Sequence, residues 1–89
     1  MMTGGNNMSY VKDLPIHIFC RNLVPERLSD EKLILKTDKL CKLIKDVEKS
    51  GEYEGYLLQV QQDKAYRYYC RASIEARSRG IELTNSYFY

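Results

Sequence analysis

One repeated spacing limits the folds that this chain can adopt. Between residues 28 and 50, apolar or weakly polar side chains recur at alternating intervals of four and three residues. Such intervals place side chains on one side of an α-helix, so the stretch predicts a helix with a single seam that packs along another helix. The seam consists of Leu33, Thr37, Leu40, Ile44 and Val47. We therefore expect a pair of helices at the centre of the fold.

The residues beside this seam define the first helix further. Ser29 can cap its N-terminus, and Leu28 can pack on Leu33 as a hydrophobic staple. Three more residues are expected to widen the seam, namely Ile34, Cys41 and Leu43. Six lysines interspersed with acidic residues cover the remaining surface, which is typical of a solvated face. The first helix is predicted to span about residues 29–49.

A second helix is predicted over residues 53–79. The break before it, residues 50–55, contains two glycines and two acidic residues, and a connector this short makes the two helices antiparallel neighbours. Gly80 is a residue type that commonly follows the last turn of a helix. The face turned towards the first helix is a narrow stripe of mostly small residues, made of Ala65, Tyr69, Ala72 and Ala76.

Residues 56–62 allow two interpretations. As a strand, they place Tyr56, Leu58 and Val60 on one face. As the first turns of the second helix, they keep Leu58 in line with the alanine stripe. We favour the helix, because Leu and Gln are good helix formers and no turn signal separates this run from Asp63.

The flanking segments are predicted to be extended. Residues 14–20 are short, apolar and partly β-branched, which favours a strand that begins near Pro15, with a short helix started by this proline as the alternative. Residues 81–89 change to an alternating and then aromatic pattern, which predicts a second extended segment. Residues 1–9 are rich in glycine and asparagine, and we expect them to be flexible.

These elements predict one small domain over residues 10–89. Its fold class is mainly α, an antiparallel helical hairpin with short extended N- and C-terminal segments. The alternative is a small α+β domain in which residues 16–20, 56–61 and 81–88 form strands. Two helices alone bury little surface, so either the flanking segments or a second chain has to cover them.

The composition argues against several classes of protein. The three cysteines are odd in number and widely spaced, and only one histidine is present, so neither a disulfide framework nor a zinc site is expected. Reduced, buried thiols indicate an intracellular compartment, cytoplasmic or nuclear, rather than a secreted protein. No apolar run is long enough to span a membrane, and no membrane partner is expected.

No arrangement of residues indicates catalysis. His17 has no sequence neighbour that would make it an acid–base pair, and no serine or cysteine is placed beside a base. The glycines do not form a phosphate-binding loop. The sequence therefore predicts a protein that is not an enzyme and that has no catalytic residue, metal ion or cofactor.

The most concentrated positive charge lies on the second helix. A basic stripe at helical spacing is formed by Lys64, Arg67 and Arg71. Two tyrosines, Tyr66 and Tyr68, alternate with it. Arg and Tyr are enriched at protein interfaces, and cations interleaved with aromatic rings are also typical of single-stranded nucleic-acid sites. A purely structural interpretation competes with both, because Arg71 can pair with Glu75 one turn later.

We interpret the basic stripe with its tyrosines as a partner-binding surface, to which the aromatic residues Tyr87 and Tyr89 at the end of the chain can contribute. The sequence thus predicts a protein–protein interaction module, a small subunit, adaptor or inhibitor of a larger complex, which also self-associates as a homodimer. The alternatives are nucleic-acid binding through the same stripe and binding of a small anionic ligand there.

Overall fold

The computed structural model describes residues 11–83, and within this range the chain is helical and contains no β-strand. Helix α1 spans Pro15–Cys20, helix α2 spans Asp30–Ser50 and helix α3 spans Gly55–Ser78. A 3₁₀ turn at Pro25–Arg27 lies between α1 and α2. The mainly α prediction is confirmed, and the alternative α+β arrangement is not supported.

Helices α2 and α3 form the antiparallel pair that the sequence predicts. Near the start of α3, the Gln62 side chain donates to Glu48, close to the end of α2, at 2.7 Å. Directly after α3, the Arg79 guanidinium donates to Asp30, the first residue of α2, at 3.0 Å. The two helices therefore run in opposite directions over most of their length. Residues 56–62 belong to α3, as favoured from the sequence.

The predicted seam of α2 is buried, and so is the alanine stripe of α3. All five seam residues are at most 5% exposed, and Thr37 satisfies its hydroxyl by donating to the carbonyl of Leu33 at 2.7 Å. On the edge of the seam, Cys41 is fully buried whereas Ile34 is 40% exposed. The core therefore extends past the seam at Cys41 but not at Ile34. The stripe residues Ala65, Tyr69, Ala72 and Ala76 are all buried.

Local signals set the ends of the two long helices. The Ser29 hydroxyl oxygen accepts from the backbone N–H of Lys32 at 3.2 Å, which is the expected N-cap of α2. Gly80 adopts a left-handed conformation with φ 76° after the last residues of α3. The N–H of Ile81 then returns to the carbonyl of Ala76 at 2.8 Å, which completes a Schellman motif. The predicted position of Gly80 is confirmed.

The prediction that residues 14–20 form a strand is wrong, because they form helix α1. Pro15 occupies the first turn, where its fixed φ suits a helix and its missing N–H costs nothing. Ile16 and Cys20, four residues apart, face the core, whereas Ile18 is 52% exposed. A strand would have needed a neighbouring strand for its backbone groups, and residues 11–83 offer none, so the helix satisfies those groups internally.

Several predictions from the sequence lie outside the described residues. These include the flexible N-terminus over residues 1–9 and most of the extended segment over residues 81–89, of which only residues 81–83 are described. These three residues follow α3 without regular secondary structure. None of the helices within residues 11–83 combines the length and the apolar character needed to cross a membrane.

The central position of Leu40 gives a direct test of this packing. Leu40→Ala should lower the free energy of unfolding by about 2–5 kcal/mol, because the fully buried side chain leaves a cavity between the helices. Leu35→Ala is the matched control on the same helix, since Leu35 is 47% exposed, and we expect a change of about 0.5 kcal/mol or less. Urea unfolding followed by circular dichroism measures both; equal losses would contradict the described packing.

Candidate interaction site: a basic cleft between α1 and α3

The basic stripe borders a cleft between α1, the segment that follows it, and α3. This basic cleft has a volume of about 210 Å³. It is lined by Cys20, Leu23, Lys64, Arg67, Tyr68 and Arg71. The structure thus brings together four of the residues that the sequence singles out, the three cations and Tyr68. The cations are exposed at its edge, so the cleft is open to an anionic group from solution.

A second depression adjoins the basic cleft. It has a volume of about 300 Å³ and shares Lys64 and Arg67 with the basic cleft. Its other lining residues are Val11, His17, Val60 and Asp63. Lys64 and Arg67 therefore stand between two depressions, and a partner side chain can approach them from both.

A buried polar residue fixes the position of α1 against α3. Gln61 is completely buried, and its amide donates to the carbonyl of Leu57 at 3.1 Å. Its side-chain oxygen accepts from the backbone N–H of Ile16, in the first turn of α1, at 3.4 Å. This role is not visible in the sequence, because a glutamine within a helical run looks like a surface residue. The bond gives one of the orphan N–H groups of α1 a partner and links α1 to α3.

Arg71 is held by a carboxylate that the sequence did not indicate. Its guanidinium donates to both carboxylate oxygens of Glu26, at 2.8 and 3.4 Å. The hydrogen bond from Arg71 is the main reason that the pKa of Glu26 lies below its ordinary value. The expected partner Glu75 pairs instead with Arg79 at 2.8 Å. Arg71 is therefore an oriented cation with its own counter-ion, whereas Lys64 and Arg67 form no ion pair within residues 11–83.

Arg79 holds Glu26 in place from the other side. The Arg79 guanidinium donates to the carbonyl of Leu28 at 2.7 Å and to the carbonyl of Glu26 at 3.2 Å. It also binds the carboxylates of Glu75 and Asp30. These bonds tie the segment before α2 to the end of α3. No local pattern could have revealed them, since the partners are about fifty residues apart.

The two tyrosines of the predicted surface have different environments. Tyr68 is only 5% exposed, and its hydroxyl has no hydrogen-bond partner among the described residues. Burial raises the pKa of Tyr68 to about 12. Tyr66 is 53% exposed. It follows Lys64 by two positions, which corresponds to a rotation of about 200° around the helix, so Tyr66 faces away from the cleft. A hydrogen bond with the Cys70 thiol raises the pKa of Tyr66.

Near the cleft, the potential nucleophile Cys20 and the potential base His17 are both uncharged at neutral pH. Burial raises the pKa of the Cys20 thiol to about 11, although the charge of Lys64 opposes this shift, so the thiol is protonated at neutral pH. Burial and the positive charge of Lys64 both lower the pKa of His17 from its ordinary value, so the imidazole is neutral at neutral pH. Its Nδ1 atom is buried without a partner among residues 11–83.

The remaining predicted contact residues, Tyr87 and Tyr89, lie outside the described residues. Within residues 11–83, no group of His, Cys, Asp and Glu side chains is arranged to hold a metal ion. Comparison of the chain with protein-family models, with curated proteins and with solved structures finds no match in any of the three. The function of the chain is therefore inferred from the geometry and charge of the basic cleft.

The ion pair at the edge of the cleft predicts a measurable titration. Because Arg71 favours the charged form of Glu26, Arg71→Gln should raise the Glu26 pKa towards its ordinary value. Since the folded-state pKa is depressed, the stability that the pair contributes is present above the ordinary pKa of the carboxyl group. It is lost as the pH falls through the lower, folded-state value.

Carboxyl carbon NMR during a pH titration measures this pKa. Arg67→Gln is the matched control, because Arg67 lines the same cleft but does not act on Glu26. We expect it to leave the Glu26 pKa close to that of the unchanged protein. Similar shifts in both variants would mean that the general field of the cleft, rather than the Arg71 contact, determines the pKa.

Proposed function

We propose that this chain is a non-enzymatic protein–protein interaction module that binds an acidic segment of a partner protein at the basic cleft. In this role it serves as a small subunit, adaptor or inhibitor within a larger assembly. The observation that carries the proposal is the state of Lys64 and Arg67. Both are exposed, both lack an ion-pair partner within residues 11–83, and both stand between two depressions.

The charge arrangement supports recognition of carboxylate or similar groups. Arg presents a planar set of donors to an anion, and Lys adds a compact charge beside it. Both are anchored on α3, whose buried face keeps their backbone positions fixed against α2. Arg and Tyr are also enriched among the residues that contribute most to binding in protein interfaces. A partner carboxylate would thus meet cations whose positions along one helix are fixed.

Nucleic-acid binding has weaker support from the same surface. Binding of single strands requires aromatic rings on which bases stack, next to the cations. The Tyr68 ring is buried, and Tyr66 lies on another side of α3. In addition, Glu26 already neutralises Arg71, and the formal net charge of the whole chain is only +2. The tyrosines therefore do not form a stacking surface with the basic stripe.

The chemistry of the site supports binding rather than catalysis. The Cys20 thiol is protonated at neutral pH, and burial together with the charge of Lys64 lowers the pKa of His17, so its imidazole is neutral. The three cysteines are free, which agrees with a reducing, intracellular setting for the module.

A fluorescence-anisotropy titration with a short, labelled Glu/Ser peptide tests the proposal. We expect binding that the double substitution Lys64→Ala with Arg67→Ala weakens by about tenfold or more, because two exposed cations at the cleft are removed. The control is the pair Lys39→Ala with Arg77→Ala. It removes the same charge from exposed positions that do not line the cleft, and we expect it to bind like the unchanged protein.

The same titration with a mixed-sequence single-stranded oligonucleotide separates the alternatives. Tighter binding of the oligonucleotide, with a steep loss at higher salt, would favour the nucleic-acid interpretation and contradict the proposal. Failure to bind the peptide at low salt would also contradict it. The light-scattering mass of the unliganded protein tests the homodimer predicted from the sequence, since a monomer at every accessible concentration would rule it out.

A further inference from the structure

One cation of the basic cleft already binds an acidic side chain of the protein itself. Glu26 accepts two hydrogen bonds from Arg71, while Lys64 and Arg67 have no ion pair within residues 11–83. Beside them, the Tyr68 hydroxyl is a buried donor without a partner among the described residues. Within residues 11–83, one cation is thus neutralised internally, whereas two cations have no ion pair and one hydroxyl has no hydrogen-bond partner.

We propose that the acidic group bound by the cleft is a phosphate monoester on the partner segment, and that it displaces Glu26 from Arg71. This inference rests on the proposed function and specifies the chemistry of its ligand. The donors to the phosphate are the side chains of Lys64, Arg67 and Arg71 and the hydroxyl of Tyr68. Glu26 is the internal competitor for this site.

The charge balance favours a dianion. Three cations line the cleft and one carboxylate, that of Glu26, contacts one of them, so the formal charge of these four groups is 3 − 1 = +2. A phosphate monoester carries a charge of about −1.5 to −2 at neutral pH, whereas a carboxylate carries a single negative charge. The phosphate matches the excess charge of the cleft, and a carboxylate leaves part of it uncompensated. Arg clusters commonly recognise phosphorylated segments for this reason.

The Arg71–Glu26 pair can open at this site. Its side chains are 52% and 45% exposed, so the released carboxylate returns to water without a desolvation penalty. The planar guanidinium of Arg71 then presents the same pair of N–H groups to two phosphate oxygens. The exchange replaces a singly charged acceptor by a doubly charged one, and no covalent bond changes.

The buried hydroxyl explains why the cleft favours a ligand at this particular place. Tyr68 lines the cleft, and the charges of both Arg71 and Glu26 act on its hydroxyl, which lies close to the pair that opens. A buried donor without an acceptor is unfavourable, and such groups are rare in native proteins. A phosphate monoester has three terminal oxygens, so two can replace the carboxylate oxygens of Glu26 on Arg71 while the third supplies the missing acceptor.

The test compares three labelled peptides that differ at one central position, which is phosphoserine, glutamate or serine. We expect the phosphoserine peptide to bind about tenfold more tightly than the glutamate peptide, because charge-assisted bonds to a dianion are stronger. Tyr68→Phe should remove most of this difference, since it keeps the ring and deletes only the hydroxyl. It should not lower the midpoint of urea unfolding, because the hydroxyl has no hydrogen-bond partner within residues 11–83.

Removing the internal competitor gives the second arm. Glu26→Gln should tighten phosphoserine-peptide binding by about threefold or more, because Arg71 is then available without displacement. Glu52→Gln is the matched control; it changes the net charge equally, but Glu52 lies in the connector between α2 and α3. Equal tightening by both substitutions would overturn the competitor role and leave only a general charge effect.

The remaining outcomes separate the two proposals. Equal affinity for the phosphoserine and glutamate peptides overturns the phosphate inference and leaves the interaction module standing. Failure of every peptide to bind overturns both. If inorganic phosphate competes with the phosphoserine peptide at a concentration similar to that of the peptide itself, the cleft recognises free phosphate, and the inference that a partner segment supplies it is overturned.

Discussion

The close contact between the apolar seam of α2 and the small residues of α3 is the interaction on which the rest of the structure depends. Ala65, Ala72 and Ala76 have almost no exposed surface, and their short side chains allow the helix axes to come near each other. Two helices of this length still leave part of their apolar surface uncovered. Helix α1 covers one side of the pair through Ile16, and this third element creates the cleft.

Long-range polar contacts, together with the core residues of α1, determine the position of the cleft. Gln61 attaches α1 to α3, while Arg71 and Arg79 hold the 3₁₀ turn at Pro25–Arg27 against the same helix. Gln61 and Arg71 belong to α3, and Arg79 follows it directly. This helix is therefore both the inner wall of the core and the anchor for every segment that borders the site, which explains why the basic stripe and the connecting segment meet there.

The sequence predicts the helical pair well, because its evidence is local. The apolar spacing and the two end signals depend only on neighbours within a few residues. The Ser29 cap and the left-handed Gly80 are both found where they were expected. The strand prediction for residues 14–20 is wrong, because a short apolar run has no periodicity that distinguishes a strand from a helix. The choice between the two depends on whether neighbouring strands are present. For the site, spacing identifies the cations but not the burial of Tyr68 or the choice of Glu26 by Arg71, which depend on tertiary packing.

The bonds of Arg79 also affect how the molecule opens. Because one guanidinium holds the last turn of α3, the carbonyl of Leu28 and the first residue of α2, none of these segments can fray alone without losing bonds that the others share. Local opening of native proteins occurs in cooperative units, and shared contacts of this kind define their limits. The end of α3 and the segment that carries Glu26 thus form one unit of hydrogen exchange, so a ligand that stabilises the cleft would slow exchange at both ends of the unit.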